Sequence, residues 1–324
     1  MRKLYPFFLS GVIKSPIWGG TRLPCEWNKC APDGGTVGES WELTVRKKEM
    51  SVIQNGTLAG VTVGELLRDN SSALMGKSTL PNGEFPLLVK FIDAADRLSV
   101  QVHPDDAYAA RVENDRGKTE MWYIVDADED AEIICGLADG FDNAAFRDAL
   151  KNGELMSALK TQKVRKGETY FIPAGLPHAI GKGILIAEIQ QNCDLTYRVY
   201  DYDRRGADGS LRELHIDKAC DVIRPFDDAE IDAIRYSRGI PASRQDVLAD
   251  CDYFRVEKLD LCKSTQTLSQ NGHLRHLLCI AGDGQIECDG TSYPFFRGDS
   301  ILLPACLENI TLMGSGTVLI STAY

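Results

Sequence analysis

Short apolar runs broken by Gly and Pro limit what this chain can fold into more than any other feature. FPLLVKFIDA (85–94), LSVQVHP (98–104), EMWYIVDA (120–127), EIICGL (132–137), ETYFIPA (168–174) and GILIAEIQQ (183–191) are each near strand length. Such runs in succession predict an all-β sandwich or barrel. Helical signals are fewer. Thr62-x-x-Glu65 is a capping box ahead of Leu66 and Leu67. Asp105 and Asp106 predict a short helix running through Val112. The segment 141–162 reads as two short helices hinged at Gly153, with Phe146, Leu150, Met156 and Leu159 inward. It forms a small helical insertion between two strands.

The predicted strands carry metal-type donors. Gln101 and His103 are two apart, so on a strand both project from one face. Glu120 opens a second run, and His178 follows the Pro/Gly turn that closes a third. Taken singly, each histidine reads as a hydrogen-bonded core residue. Together Gln101, His103, Glu120 and His178 predict a metal cup inside a β-barrel. Two imidazoles, one carboxylate and one amide oxygen suit Zn2+, one per chain, with room for water or a substrate oxygen. Mn, Fe and Co also accept that set.

The spacing Gly167, five residues, Pro173, one residue, Gly175, two residues, His178 resembles the second motif of the cupin superfamily as far as its histidine. The first cupin motif is partial: Gln101-x-His103 replaces His-x-His, and Glu120 comes late. Gln101-x-His103-Pro104, Lys118-Thr119-Glu120 and Pro173-x-Gly175-x-x-His178 together resemble the class I (zinc-dependent) mannose-6-phosphate isomerases of the short bacterial type. WGG (18–20) and GESWE (38–42) resemble short members too, and the resemblance spans most of residues 15–205.

That resemblance implies two cupin (jelly-roll, double-stranded β-helix) barrels, the helical insertion lying in the first. It implies a cytoplasmic aldose-ketose isomerase that interconverts D-mannose 6-phosphate and D-fructose 6-phosphate through a cis-enediol. In the family, the Ser two before the Gln ligand and the Lys two before the Glu ligand contact the sugar phosphate, roles that carry over to Ser99 and Lys118. The Glu-to-Arg spacing of ten, kept here, makes Arg198 the catalytic arginine and Glu188 the acid/base, with Lys118 as the other candidate base. Two departures stand out: Thr119 replaces the family's usual Pro, and Cys193 replaces a Ser. On the residues alone, Lys118 also reads as an ion-pair partner of Glu120, and Arg198 as a surface partner of Asp201 or Asp203. Glu188 also reads as a carboxylate orienting a metal-bound histidine. A non-catalytic sugar-binding bicupin or a cupin oxygenase is the alternative class. Gln101 as a fourth donor weighs against the oxygenase.

The polar stretch 235–246 reads as a linker, dividing a metal-binding domain (1–238) from a degenerate cupin-like β domain (239–324). In the second, Gly298, five residues, Pro304, Ala305, Cys306, two residues, Asn309 repeats the turn spacing with Asn309 in place of the histidine. His273 and His276 are three apart, which sets them on different strand faces, and both read as structural. A net charge of −11 argues against a nucleic-acid or anionic-membrane surface. It leaves room for a phosphorylated hexose in a locally basic pocket. Ten scattered cysteines without a C-x-x-C pair read as reduced, cytoplasmic thiols. MRKLYPFFLSGVIKSP has no small-x-small cleavage site and reads as an edge strand running into the WGG turn; no run approaches transmembrane length. The sequence sets no oligomeric state, and a monomer is compatible with it.

Overall fold

The computed structural model describes residues 3–206, 209–239, 246–263, 265–268 and 272–324. The middle of the expected linker, 240–245, lies outside them. Contacts divide the chain into two units, neither continuous in sequence. One takes residues 14–39 and 91–235; the other takes 1–13, 40–90 and 236–324.

In the first unit two antiparallel sheets enclose an apolar layer. One is built from β1 (Val100–Val102), β3 (Glu132–Leu137), β4 (Leu159–Lys163), β6 (His178–Ile180) and β8 (Tyr197–Tyr200), in the order β4-β3-β6-β1-β8. The other runs β5 (Thr169–Ile172), β2 (Glu120–Ala127), β7 (Ile184–Gln191), followed by residues 91–94 at the end of the next strand. Alternation sends Ile133 and Ile180 of the first sheet, and Trp122, Ile124, Ile172 and Ile186 of the second, into one buried cluster. Each such side chain contributes roughly 1.5–3 kcal/mol of burial. The donor residues share these inward faces.

Two helices pack locally. α1 (Asp106–Val112) starts at Asp105, whose Oδ1 accepts the Tyr108 N–H at 2.8 Å. α2 (Asn143–Lys151) buries Phe146 and Ala149 against Val100, Val102, Tyr197 and Val199, on the other side of the first sheet. The second helix expected in 141–162 is instead a 3-10 turn, Leu155–Ala158, and the chain is already strand at Leu159. Pairing with β3 takes up the backbone groups from Leu159 to Lys163, and Met156, in the turn before it, is left about half exposed.

In the other unit the strands β9 (Phe254–Cys262), β10 (Arg275–Cys288), β11 (Ser300–Leu303) and β12 (Ile310–Ala323) run in the order β9-β12-β10-β11. Phe7–Ser10 lies next to β11 and is paired on its far side with Val52–Ile53, so it is not an edge. The Thr62/Glu65 box caps the helix Val63–Met75 from both sides: Glu65 N–H donates to Thr62 Oγ1, and Thr62 N–H to Glu65 Oε2. His276 pairs with Ser300 Oγ at 2.8 Å, while His273 lies 3.4 Å from Ser78 Oγ.

The turn spacing noted in sequence recurs in three dimensions. Gly167 and Gly298 have φ of 90° and 92°. Arg165 N–H donates to Glu168 Oε2, and Phe296 N–H to Asp299 Oδ2, both at 2.8 Å. Leu176 N–H reaches Pro173 O, and Leu307 N–H reaches Pro304 O, both at 3.1 Å. The two turns diverge at the last position. His178 enters a strand, whereas Asn309 sits at φ 53° before the next one.

Candidate metal centre

Strand register builds the site. His178 of β6 lies opposite Gln101 of β1, which lies opposite Arg198 of β8. Residues directly opposite in a ladder share a face, so these three side chains form one inward row. On the other sheet Glu120 of β2 is opposite Gln190 of β7, and Trp122 is opposite Glu188.

Three ligand atoms converge. His103, Glu120 and His178 are all buried, with ligand atoms within 4.8 Å of one another. Glu120 Oε2 is 3.5 Å from His103 Nε2, and Glu120 Oε1 is 3.5 Å from His178 Nε2. Both imidazoles are oriented by backbone: His103 Nδ1 is 2.8 Å from Leu195 O, and His178 Nδ1 is 2.8 Å from Leu176 O. A carbonyl only accepts, so both Nδ1 atoms carry a proton, and both Nε2 atoms face Glu120. Burial pushes the His178 pKa down to about 4, which keeps that ring neutral at pH 7. Two imidazoles that present Nε2 to the oxygens of one carboxylate are a donor set that can hold a divalent metal. The Gln101 amide lies against the same point, its Nε2 3.3 Å from His178 Nε2. Turning the amide over would present its oxygen instead, so the residue fits as a fourth donor.

The turn that aims His178 is fastened to His103. Gly175 N–H donates to His103 O at 2.9 Å, and Gly175 has φ 92°. A Cβ there would lie 2.9 Å from Val222 O.

Lys118 comes within reach of the ligand set. Its backbone N–H donates to Pro104 O, and its buried Nζ lies 3.0 Å from Glu120 Oε2 and 3.2 Å from His103 Nε2. Glu188 is buried and accepts the Trp122 indole N–H at 3.0 Å. Arg198 is half-buried; its Nη1 donates to Glu213 O at 2.8 Å. Asp201 is taken by Arg204 and Arg212, so it does not draw Arg198 to the surface. Burial, then the charge of Arg212, holds the Arg198 guanidinium below its ordinary pKa. Ser99 is buried two residues before Gln101, on the approach to β1. No hydrogen bond joins its hydroxyl to the cluster among the described residues.

Sequence reasoning missed Trp122. Its Nε1 donates to Glu120 Oε1 at 2.9 Å as well as to Glu188 Oε2. The signal was present: a Trp two residues after an inward Glu on a strand shares its face, and a buried indole N–H needs an acceptor. The carbonyls of Leu176 and Leu195 had no such signal, because backbone acceptors carry no residue code.

Comparison with known proteins agrees with this geometry. The family model for the phosphomannose isomerase type I catalytic domain matches residues 7–149, and that for the mannose-6-phosphate isomerase cupin domain matches 244–323. The chain is 40% identical over 321 residues to mannose-6-phosphate isomerase ManA of Bacillus subtilis (strain 168), covering 98% of each. It is 37% identical to the mannose-6-phosphate isomerase of Streptococcus mutans serotype c (strain ATCC 700610 / UA159), covering 94% of each. The crystal structure of a mannose 6-phosphate isomerase from Bacillus subtilis superposes with a TM-score of 0.86 at 33% identity, covering 98% of this chain and 99% of that one. With a cupin fold, a buried His/Glu/His cluster and full-length identity at this level, the chain belongs to the type I mannose-6-phosphate isomerase family.

Proposed function

We propose that this chain interconverts D-mannose 6-phosphate and D-fructose 6-phosphate, with one Zn2+ per chain held by Gln101, His103, Glu120 and His178. The observation that carries this reading is the pair of backbone-anchored imidazoles presenting Nε2 to the two oxygens of Glu120. Aldose and ketose differ by one proton moved between C1 and C2, so the site needs a proton carrier and a means of stabilising charge on the sugar oxygens. When bound, the ion supplies Lewis-acid stabilisation of that charge.

The other residues bind and orient the sugar. Ser99 and Lys118 hold the phosphorylated hexose. Arg198, in the same strand row as Gln101 and His178, offers charge-assisted hydrogen bonds to oxygens that become negative. Holding the sugar against these groups raises the effective concentration of the base at C2. Lys118 and Glu188 are the candidates for the base. We favour Lys118, because its Nζ is within 3.2 Å of two ligand atoms. Glu188 lies one register row further along the sheet, beside the Trp122 indole. Each unit is read as a cupin barrel, the second without a metal, on the strength of the matching turn hydrogen bonds. A cytoplasmic location is proposed from the ten free thiols.

A coupled assay on mannose 6-phosphate, run with and without chelator, tests the reading. Turnover that a chelator abolishes and zinc restores is expected. Full activity in protein shown to be metal-free would overturn the metal assignment, and no turnover in zinc-loaded protein would overturn the substrate. Lys118→Met and Glu188→Gln, assayed in parallel at saturating zinc, separate the two bases: the base variant loses turnover with the metal site filled.

A further inference from the structure

We infer that Trp122 is a positioning residue of the metal centre, its single N–H holding Glu120 in its ligating orientation and coupling it to Glu188. The inference rests on the metal reading above. Trp122 is fully buried on β2, with its indole N–H shared between Glu120 Oε1 at 2.9 Å and Glu188 Oε2 at 3.0 Å. The other Glu120 oxygen, Oε2, faces Lys118 Nζ at 3.0 Å and His103 Nε2 at 3.5 Å. The two carboxylate oxygens therefore have different partners. Rotating the carboxyl would take Oε1 away from the indole and Oε2 away from Lys118 Nζ.

Indole is a donor only, and Trp122 is buried in the apolar cluster of Ile124, Ile172 and Ile186, so its N–H depends on the two carboxylates for an acceptor. Its ring also packs edge-on to His178, with centroids 5.4 Å apart and planes at 75°. One side chain thus touches two of the three clustered ligands. Glu188 enters through the same N–H: directly opposite Trp122 in the ladder, it fixes which way the indole points. Partners that orient metal ligands in this way change metal affinity when removed, typically by about 10–100-fold.

The test is zinc affinity, measured by competition with a chromophoric chelator on purified apoprotein. Trp122→Phe deletes the N–H and is expected to weaken zinc binding by about 10–100-fold. Glu188→Gln should weaken it by a smaller factor in the parent protein and by no further factor in the Trp122→Phe background. If Trp122→Phe does not fold, benzothienylalanine incorporated at position 122 replaces only the N–H with sulfur and keeps the ring shape. The same loss of affinity is expected. Parental zinc affinity in either position-122 variant overturns the inference, as do independent, additive effects of Trp122 and Glu188. Parental affinity in His178→Ala overturns the metal reading instead, which keeps the two failures apart.

Discussion

The backbone N–H of Gly175 lies 2.9 Å from the carbonyl oxygen of His103, so the turn that aims one candidate ligand is tied to the strand end that carries the other. Two histidines far apart in sequence are set by one peptide hydrogen bond. Local backbone at 175 therefore controls the separation of their imidazoles.

Gly175→Ala tests this directly. The native φ of 92° strains any L side chain, and the new Cβ would sit 2.9 Å from Val222 O. A stability loss of about 1–3 kcal/mol is expected. Zinc affinity should fall with it, because relaxation of the turn moves His178 relative to His103. Urea unfolding and chelator competition on the same preparation check both. Unchanged metal affinity in a destabilised variant would show that the tie is structural only.

His178→Ala should remove metal and turnover together. Glu120→Gln should do the same, since an amide gives up the charge that faces both Nε2 atoms. Metal content measured by emission spectroscopy, beside the coupled assay, reads both effects.

Arg198→Ala should leave zinc in place and lower turnover by about a hundredfold or more, the usual cost of losing a preorganised donor to a developing oxyanion. Arg198→Lys should recover little, because a point charge does not replace the planar fork. Loss of metal in either variant would count against the role assigned to Arg198.

The pH dependence of stability follows from His178. Its folded pKa of about 4 lies below the ordinary 6.5, because burial disfavours the charged ring. As pH falls below 6.5 the unfolded chain takes up the proton first, so stability drops with pH down to about 4. Above 6.5 the native state has lost nothing. In metal-free protein this one group should cost about 2 kcal/mol between pH 7.5 and pH 5. The pH slope of unfolding free energy, compared between the parent and His178→Asn, isolates the term. An equal slope in both would remove His178 as its source.

Much of this site could be read in the sequence because strand geometry is periodic. Gln101 and His103 share a face by their spacing of two, and the Gly167–His178 turn folds as its glycines and proline require. The Thr62/Glu65 box caps a helix for equally local reasons. Sequence reading failed where partners come from far away. The segment after Gly153 carries a helical pattern, yet it pairs with β3, because a strand edge offers hydrogen bonds that local propensity cannot foresee. Trp122 drew no reading of its own from the sequence, and its N–H gained meaning only with Glu188 opposite it across the ladder.

The sequence by itself determined which side chains face inward and what chemistry they bring, since alternation along a strand and turn conformation are properties of a few neighbouring residues. Only the tertiary structure decided that Leu176 and Leu195 carbonyls set both histidine tautomers, that Lys118 meets Glu120 and His103, and that one indole joins two carboxylates. Those contacts depend on register between strands and on backbone atoms common to every residue, and no side-chain pattern encodes either.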